Sequence, residues 1–344
     1  MGGIFTISLD FELHWGGFDK WPLKTDKRSD QLGAKPGKNY HDYFLSTRRV
    51  IPEILSLFET YDVHATWATV GMLLHDGKEQ LLKNAPEQKP TYLALELSAY
   101  NYINKYGIGD SEGSDPVHFA PSLVTNILNA RNQELATHSF SHFYCNERGQ
   151  TLQQFREDIR AAKRAMAMFN AKCHSLVFPR NQFNDDYLRV CFEEGIRSVR
   201  SNPMDWFWNI KSTQSESILK RLNRGIDAYF PVGKKKSYKL DDINVREGLP
   251  ICLPSSRLLR PYRPSEIFLN HLKIDRVKSE MIRAAKSGEV YHLWWHPHNF
   301  SDFPQESLAG LTTILECFAS CRDRFDMKTL TMAETATLIS HNLW

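Results

Sequence analysis

The chain has no apolar run approaching the roughly 20 residues that cross a bilayer, so no membrane-spanning segment is expected. It has no C-x-x-C pair. Its six cysteines (Cys145, Cys173, Cys191, Cys252, Cys317 and Cys321) are scattered, mostly among apolar residues. That usage reads as buried thiols and suits a reducing compartment better than a disulfide framework. There is no large charge excess: the net charge is +3 over 344 residues, and the one short basic run is Lys234-Lys235-Lys236. A lone triplet reads as a solvated loop, which argues against nucleic acid as partner. No secretory leader precedes the first strand-like residues, so cytoplasmic residence is the expectation. There is no internal repeat, low-complexity tract or linker, so residues 1–344 are expected to form one domain. Oligomeric state has no signature in the sequence.

What is present is a hydrophobic content of 42%, enough for a large core, in a strand–helix alternation. Strand-like segments fall at 4–10, 64–70, 134–137, 175–179, 197–200, 249–253 and 290–295. Helical periodicity occupies 44–60, 152–169, 185–194, 277–287, 306–321 and 332–341, with Thr151 near the start of the second. This alternation predicts an α/β fold. Two stretches break it, 16–42 and 86–118. Both are polar and contain glycine, and they read as insertions that could frame a site.

The richest stretch is Thr137-His138-Ser139-Phe140-Ser141-His142. On a helical turn, histidines four apart share a face and can hold a divalent metal, leaving room for a carboxylate and water. A second pair at that spacing is His292 and His296. A carboxylate pair, Asp10 and Glu12, sits where the strand-like run from Ile4 should end. Amide or ester hydrolysis needs a water nucleophile, stabilisation of the oxyanion and a proton for the leaving group. A metal, an ionised carboxylate and a histidine supply these, so the residues point to a metal-assisted hydrolase.

In order along the chain, five blocks resemble the polysaccharide deacetylases, carbohydrate esterase family 4. Ser8-Leu9-Asp10-Phe11-Glu12 is similar to the family's first motif, with Asp-x-Glu where adjacent Asp-Asp is usual. His138-Ser139-Phe140-Ser141-His142 fits the His-Ser/Thr-x-x-His metal motif. Phe178-Pro179-Arg180-Asn181-Gln182 stands in the place of the third motif, in a different order. Asp205-Trp206 resembles the fourth, and Leu293-Trp294-Trp295-His296 the fifth. The segment His64–Gly71 also looks like the family's second strand.

The resemblance implies a distorted (β/α)7 barrel. It implies Glu12, His138 and His142 as metal ligands, Asp10 as general base, His296 as general acid, and Arg180 as the residue that orients Asp10. It further implies a divalent ion, zinc first, with cobalt, nickel, manganese or iron in its place, and a carbohydrate partner. Trp15, Asn181, Asp205, Trp206, Trp294 and His298 are the expected substrate contacts, His298 being also an alternative acid. Trp21 and Tyr92 are further aromatics that could stack on a sugar. The activity implied is N-deacetylation of an amino sugar, in surface-polysaccharide assembly if the chain is cytoplasmic. Two alternatives stay open: another C–N hydrolase or deformylase on the same site, and an inactive carbohydrate-binding barrel.

Overall fold

The computed structural model describes residues 2–23, 38–203, 218–227, 229–230 and 235–341. In chain order the elements are β1 (Ile4–Phe11), α1 (Tyr40–Tyr61), β2 (Ala65–Thr69), α2 (Lys78–Asn84), α3 (Ala99–Tyr106), α4 (Pro121–Asn129), β3 (Gln133–Thr137), α5 (Leu152–Ala167), β4 (Ser175–Val177) and α6 (Asp185–Glu193). They continue with β5 (Ser198–Ser201), α7 (Ile218–Asp227), β6 (Ile251–Pro254), β7 (Arg257–Leu258), α8 (Ile267–Ser287), β8 (Val290–Trp295), α9 (Pro304–Phe325), β9 (Lys328–Thr329) and α10 (Met332–His341).

The sheet runs β6-β5-β4-β3-β2-β1-β8-β7, and its strand pairs are parallel. β1 is buried along its whole length, which explains its near-continuous apolar run: helices cover one face and the barrel interior the other. β6 and β7 stand at opposite ends of the strand order but are joined only by Ser255-Ser256. Ser255 N–H donates to Ser201 O at 2.9 Å and Ser256 N–H to His292 O at 2.7 Å. The two edges therefore meet at this seam. With β6 and β7 counted as one bent stave, the sheet is a distorted barrel of seven. β9 adds beside the start of β1, where β2 has not yet begun to pair.

Each expected strand forms, while the short β7 and β9 carry too few residues for a pattern. Helix α5 shows how local chemistry fixes an element. Thr151 and Gln154 form a reciprocal cap, each side chain bonded to the other's backbone N–H. Phe155, Ile159, Ala162 and Met166 then make one buried stripe. Helix α1 starts earlier than its apolar periodicity, because Asn39 accepts from the N–H groups of His41 and Asp42. The excursion at 86–118 contains α3 and packs Tyr92, Leu97 and Ile103 inward.

One expectation fails here. His138 and His142 do not lie on a helix. They belong to the loop leaving β3, in which Ser139 and His142 have left-handed backbones at φ 61° and 57°.

Candidate active site

The site is built where the strands end, the usual place in parallel barrels. β1 delivers Asp10 and Glu12, two residues apart and so on one side of the strand, both almost wholly buried. The chain then turns sharply at Leu13, φ 45°, into a short 3-10 turn, Leu13–Gly16. Gly16 lies against the Glu12 carboxylate so closely that a Cβ there would stand 1.9 Å from Oε2. The absent side chain at Gly16 makes room for the glutamate.

The β3 loop brings both imidazoles to the same carboxylate oxygen. Glu12 Oε1 is 2.9 Å from His138 Nε2 and 3.2 Å from His142 Nε2. The loop is gripped by Asp158 of α5, fully buried. It accepts from Phe140 N–H at 2.7 Å, Ser141 N–H at 3.2 Å and the Ser141 hydroxyl at 2.5 Å. Ser139 Oγ accepts from Phe143 N–H at 2.7 Å and closes the turn. These bonds do what a helical turn was expected to do. Tyr144 OH sits 3.0 Å from His142 Nδ1, so that nitrogen is engaged and Nε2 is left to face Glu12.

The donor set fits a divalent metal. His138 Nε2 approaches Glu12 closely, yet among the described residues neither ring nitrogen of His138 finds a well-formed hydrogen bond, although both are buried. Buried polar atoms left in this way are uncommon, and one carboxylate with two imidazoles is a zinc-type donor set. Glu12, His138 and His142 present ligand atoms within 4.8 Å of one another; Glu12, His296 and His298 do likewise. Burial would push the Glu12 carboxyl up, but His296, His138 and His142 outweigh it and hold it well below the usual range. Burial also pushes His142 down to about 4, so it is a neutral donor near pH 7.

Asp10 is held by an arginine that the sequence reading passed over. Arg200, in β5 and almost fully buried, reaches Asp10 Oδ1 at 2.6 Å and Oδ2 at 2.7 Å. Burial raises the Asp10 carboxyl and the Arg200 charge lowers it, with a net shift downward. Arg200 also donates to Ser8 Oγ at 3.1 Å, and Ser8 Oγ lies 2.8 Å from His292 Nε2. Its guanidinium stands 4.2 Å from the centre of the Trp294 ring. His292 is therefore a partner of Ser8, and burial pushes it down to about 3. The signal was available: an arginine inside a buried strand must have a buried partner.

Arg180, expected on Asp10, is instead bonded to Asp19 at 2.5 Å and lies over the Tyr144 ring at 4.2 Å. It sits beside the site, on a left-handed turn with Asn181. Asn181 Oδ1 is 3.5 Å from Arg200 Nη2, the outer limit of a contact.

His296 follows β8. Its Nε2 lies 3.6 Å from Asp10 Oδ2 and 3.7 Å from Glu12 Oε1, with its side chain 25% exposed, the most open member of the group. His298 stacks on it at 4.7 Å and is packed among Trp21, Tyr43 and Phe44. Burial first, then His296, pushes His298 down to about 3. Trp294 turns toward Arg200 and His296, while Trp295 points outward and stacks on Phe300.

Trp15 was expected to contact substrate, and this is corrected. It is completely buried, bonded through Nε1 to His118 O at 2.9 Å and packed against Phe18, Tyr102 and His118. Tyr92 is likewise buried, accepting from Tyr144 N–H at 2.8 Å. Asp205 and Trp206 lie outside the described residues.

Residues 40–199 match the family model described as polysaccharide deacetylase. Over this stretch, somewhat under half of its length, the chain is similar to the polysaccharide deacetylases. The matched stretch holds His138, His142 and Arg180. Asp10, Glu12, Arg200 and His296 lie outside it and are brought in by the strand register. No curated protein sequence matches this chain.

Among solved structures, a protein described as a polysaccharide deacetylase from Mycobacterium smegmatis superposes with a TM-score of 0.58 at 14% identity, over 100% of this chain and 92% of that one. Another so described, from Pseudomonas aeruginosa PAO1, gives 0.57 at 11% identity, over 98% and 91%. The PuuE allantoinase gives 0.56 at 11% identity, over 98% and 90%. At these identities the likeness is one of fold. No helix among the described residues is long and apolar enough to cross a membrane.

Proposed function

We propose that this protein is a metal-dependent hydrolase of the polysaccharide deacetylase kind, which removes an N-acetyl group from an amino-sugar compound. The observation that carries the reading is the convergence of Glu12, His138 and His142 on one point, with Asp10 and His296 beside it. The three donors would hold the ion, zinc first. When bound, it would polarise the acyl carbonyl and lower the pKa of a coordinated water.

The remaining roles fall to the chain's own residues. Asp10 receives the proton of the attacking water, and Arg200 keeps it ionised and fixes its plane. His296, open to solvent and 3.6 Å from Asp10, donates a proton to the departing amine nitrogen. His298 packs behind His296 and limits its rotation. The complete donor set and the charge pair under Asp10 favour an enzyme over an inactive barrel. Arg180 and Asn181, on their left-handed turn, and Trp294 are the residues proposed to border the sugar.

The test is acetate release by zinc-loaded protein from free, nucleotide-linked and oligomeric N-acetylhexosamines. Acetate from at least one of them, abolished by chelation, supports the reading. Release of ammonia or formate from another amide, with acetate from none, would leave a C–N hydrolase and remove the deacetylase.

A further inference from the structure

On the far side of the barrel wall, α8 and α9 pack with a cavity of about 330 Å³ between them. Lys278, Ile282 and Lys286 line it from a single stripe of α8; Cys317, Cys321 and Arg324 line it from α9. The two cysteines are one helical turn apart, and the Cys317 thiol donates to Lys278 O of α8 at 3.9 Å. Side chains at this spacing have Cβ atoms about 5–6 Å apart. A disulfide needs about 3.5–4.5 Å, so the pair cannot close one without unwinding α9. A two-coordinate ion between the sulfurs lengthens the bridge enough to fit.

The surroundings set the charge of such a complex. Two thiolates around one monovalent ion carry one net negative charge. Lys278, Lys286 and Arg324 offer positive charge around it. Glu316 on α9 lines the same cavity, and Asp275 on α8 lies 3.4 Å from Lys278, so the local sum stays positive. Soft thiolate ligands select monovalent copper over zinc, which would want four ligands. None of the other four cysteines has a second cysteine one helical turn away; Cys173 has Lys163 and Cys252 has Arg246 nearby, one cation each.

We propose that Cys317 and Cys321 form a binding site for a soft monovalent metal ion, copper(I) or its like. The binding step is Cu⁺ + 2 RSH → [Cu(SR)₂]⁻ + 2 H⁺, the protons leaving to solvent. No electron is transferred. Its neighbour Cys317 first, then burial, raises the Cys321 thiol, whereas Cys321 lowers Cys317, which makes Cys317 the first to ionise.

The test is anaerobic titration of the reduced full chain with Cu(I), read by thiolate-to-copper absorbance in the ultraviolet and by iodoacetamide labelling of each cysteine. One equivalent should give the absorbance and protect Cys317, the more exposed of the two thiols. Cys317→Ser and Cys321→Ser should each abolish it. His138→Ala should leave it intact, and Lys286→Gln, which keeps both thiols, should weaken binding about tenfold. Absorbance that survives either serine variant, or Cys317 still labelled at one equivalent, would overturn the proposal.

Discussion

At the residue scale the site turns on buried charges that stabilise one another. Arg200 and Asp10 are both out of water, and removing one partner of such a pair typically costs about 3–5 kcal/mol. Arg200→Met should lower thermal stability and raise the Asp10 pKa. Its sign follows: Asp10 is depressed in the fold, so its contribution to stability is present above the ordinary carboxylate range and lost as pH falls through the folded value. In Arg200→Met that contribution should shrink, because the folded value moves up toward the ordinary one, and the acidic limb of activity should move to higher pH. An unmoved acidic limb would mean that Asp10 is not the base. Asp10→Asn should keep the metal and lose turnover by roughly 10²–10⁴, the usual worth of a general base; metal analysis beside kinetics separates the two effects.

These residues were unequally legible. Asp10, Glu12 and the histidine pair stand close together in sequence, so their chemistry could be read from spacing. Arg200 meets Asp10 across 190 positions, and only the barrel's register brings them together. Arg180 occupies the familiar place in the third block, yet its left-handed turn directs it to Asp19. Trp15 carried no sign that the 3-10 turn after Glu12 folds it into the core.

At the element scale the β3 loop is the part that must be rigid. Its imidazoles are aimed by side-chain bonds to Asp158, since no helix does it. Asp158→Ala should weaken metal affinity about 10–100-fold, the usual effect of removing a group that positions a ligand. Calorimetric titration with zinc would show it, while Glu12, His138 and His142 remain in place. Gly16→Ala should disturb the other half of the site, because the added methyl meets the Glu12 carboxylate. Reduced zinc affinity with little change in far-ultraviolet circular dichroism is the expected result. The strands and long amphipathic helices were readable because each has a period or a buried run. The loop was misread as helical because a four-residue histidine spacing suits both a helix and a bonded turn.

At the scale of the whole molecule, the barrel gathers strand ends that are distant in sequence into one polar centre. The seam at Ser255-Ser256 links β5 to β8 through one bent stave, and Arg200 of β5 lies over the Trp294 ring of β8. The α/β class was visible in the alternation of elements. The closure was not, because it depends on two backbone bonds from adjacent serines.

The central claim is that Glu12, His138 and His142 form the metal centre of a hydrolase. The most direct measurement is an anomalous-scattering map from zinc-loaded crystals, recorded at the zinc edge. A single strong peak bounded by Glu12 Oε, His138 Nε2 and His142 Nε2, with Asp10 outside its coordination sphere, is the expected result. A peak bounded instead by Glu12, His296 and His298, or none at the β3 loop, would contradict it.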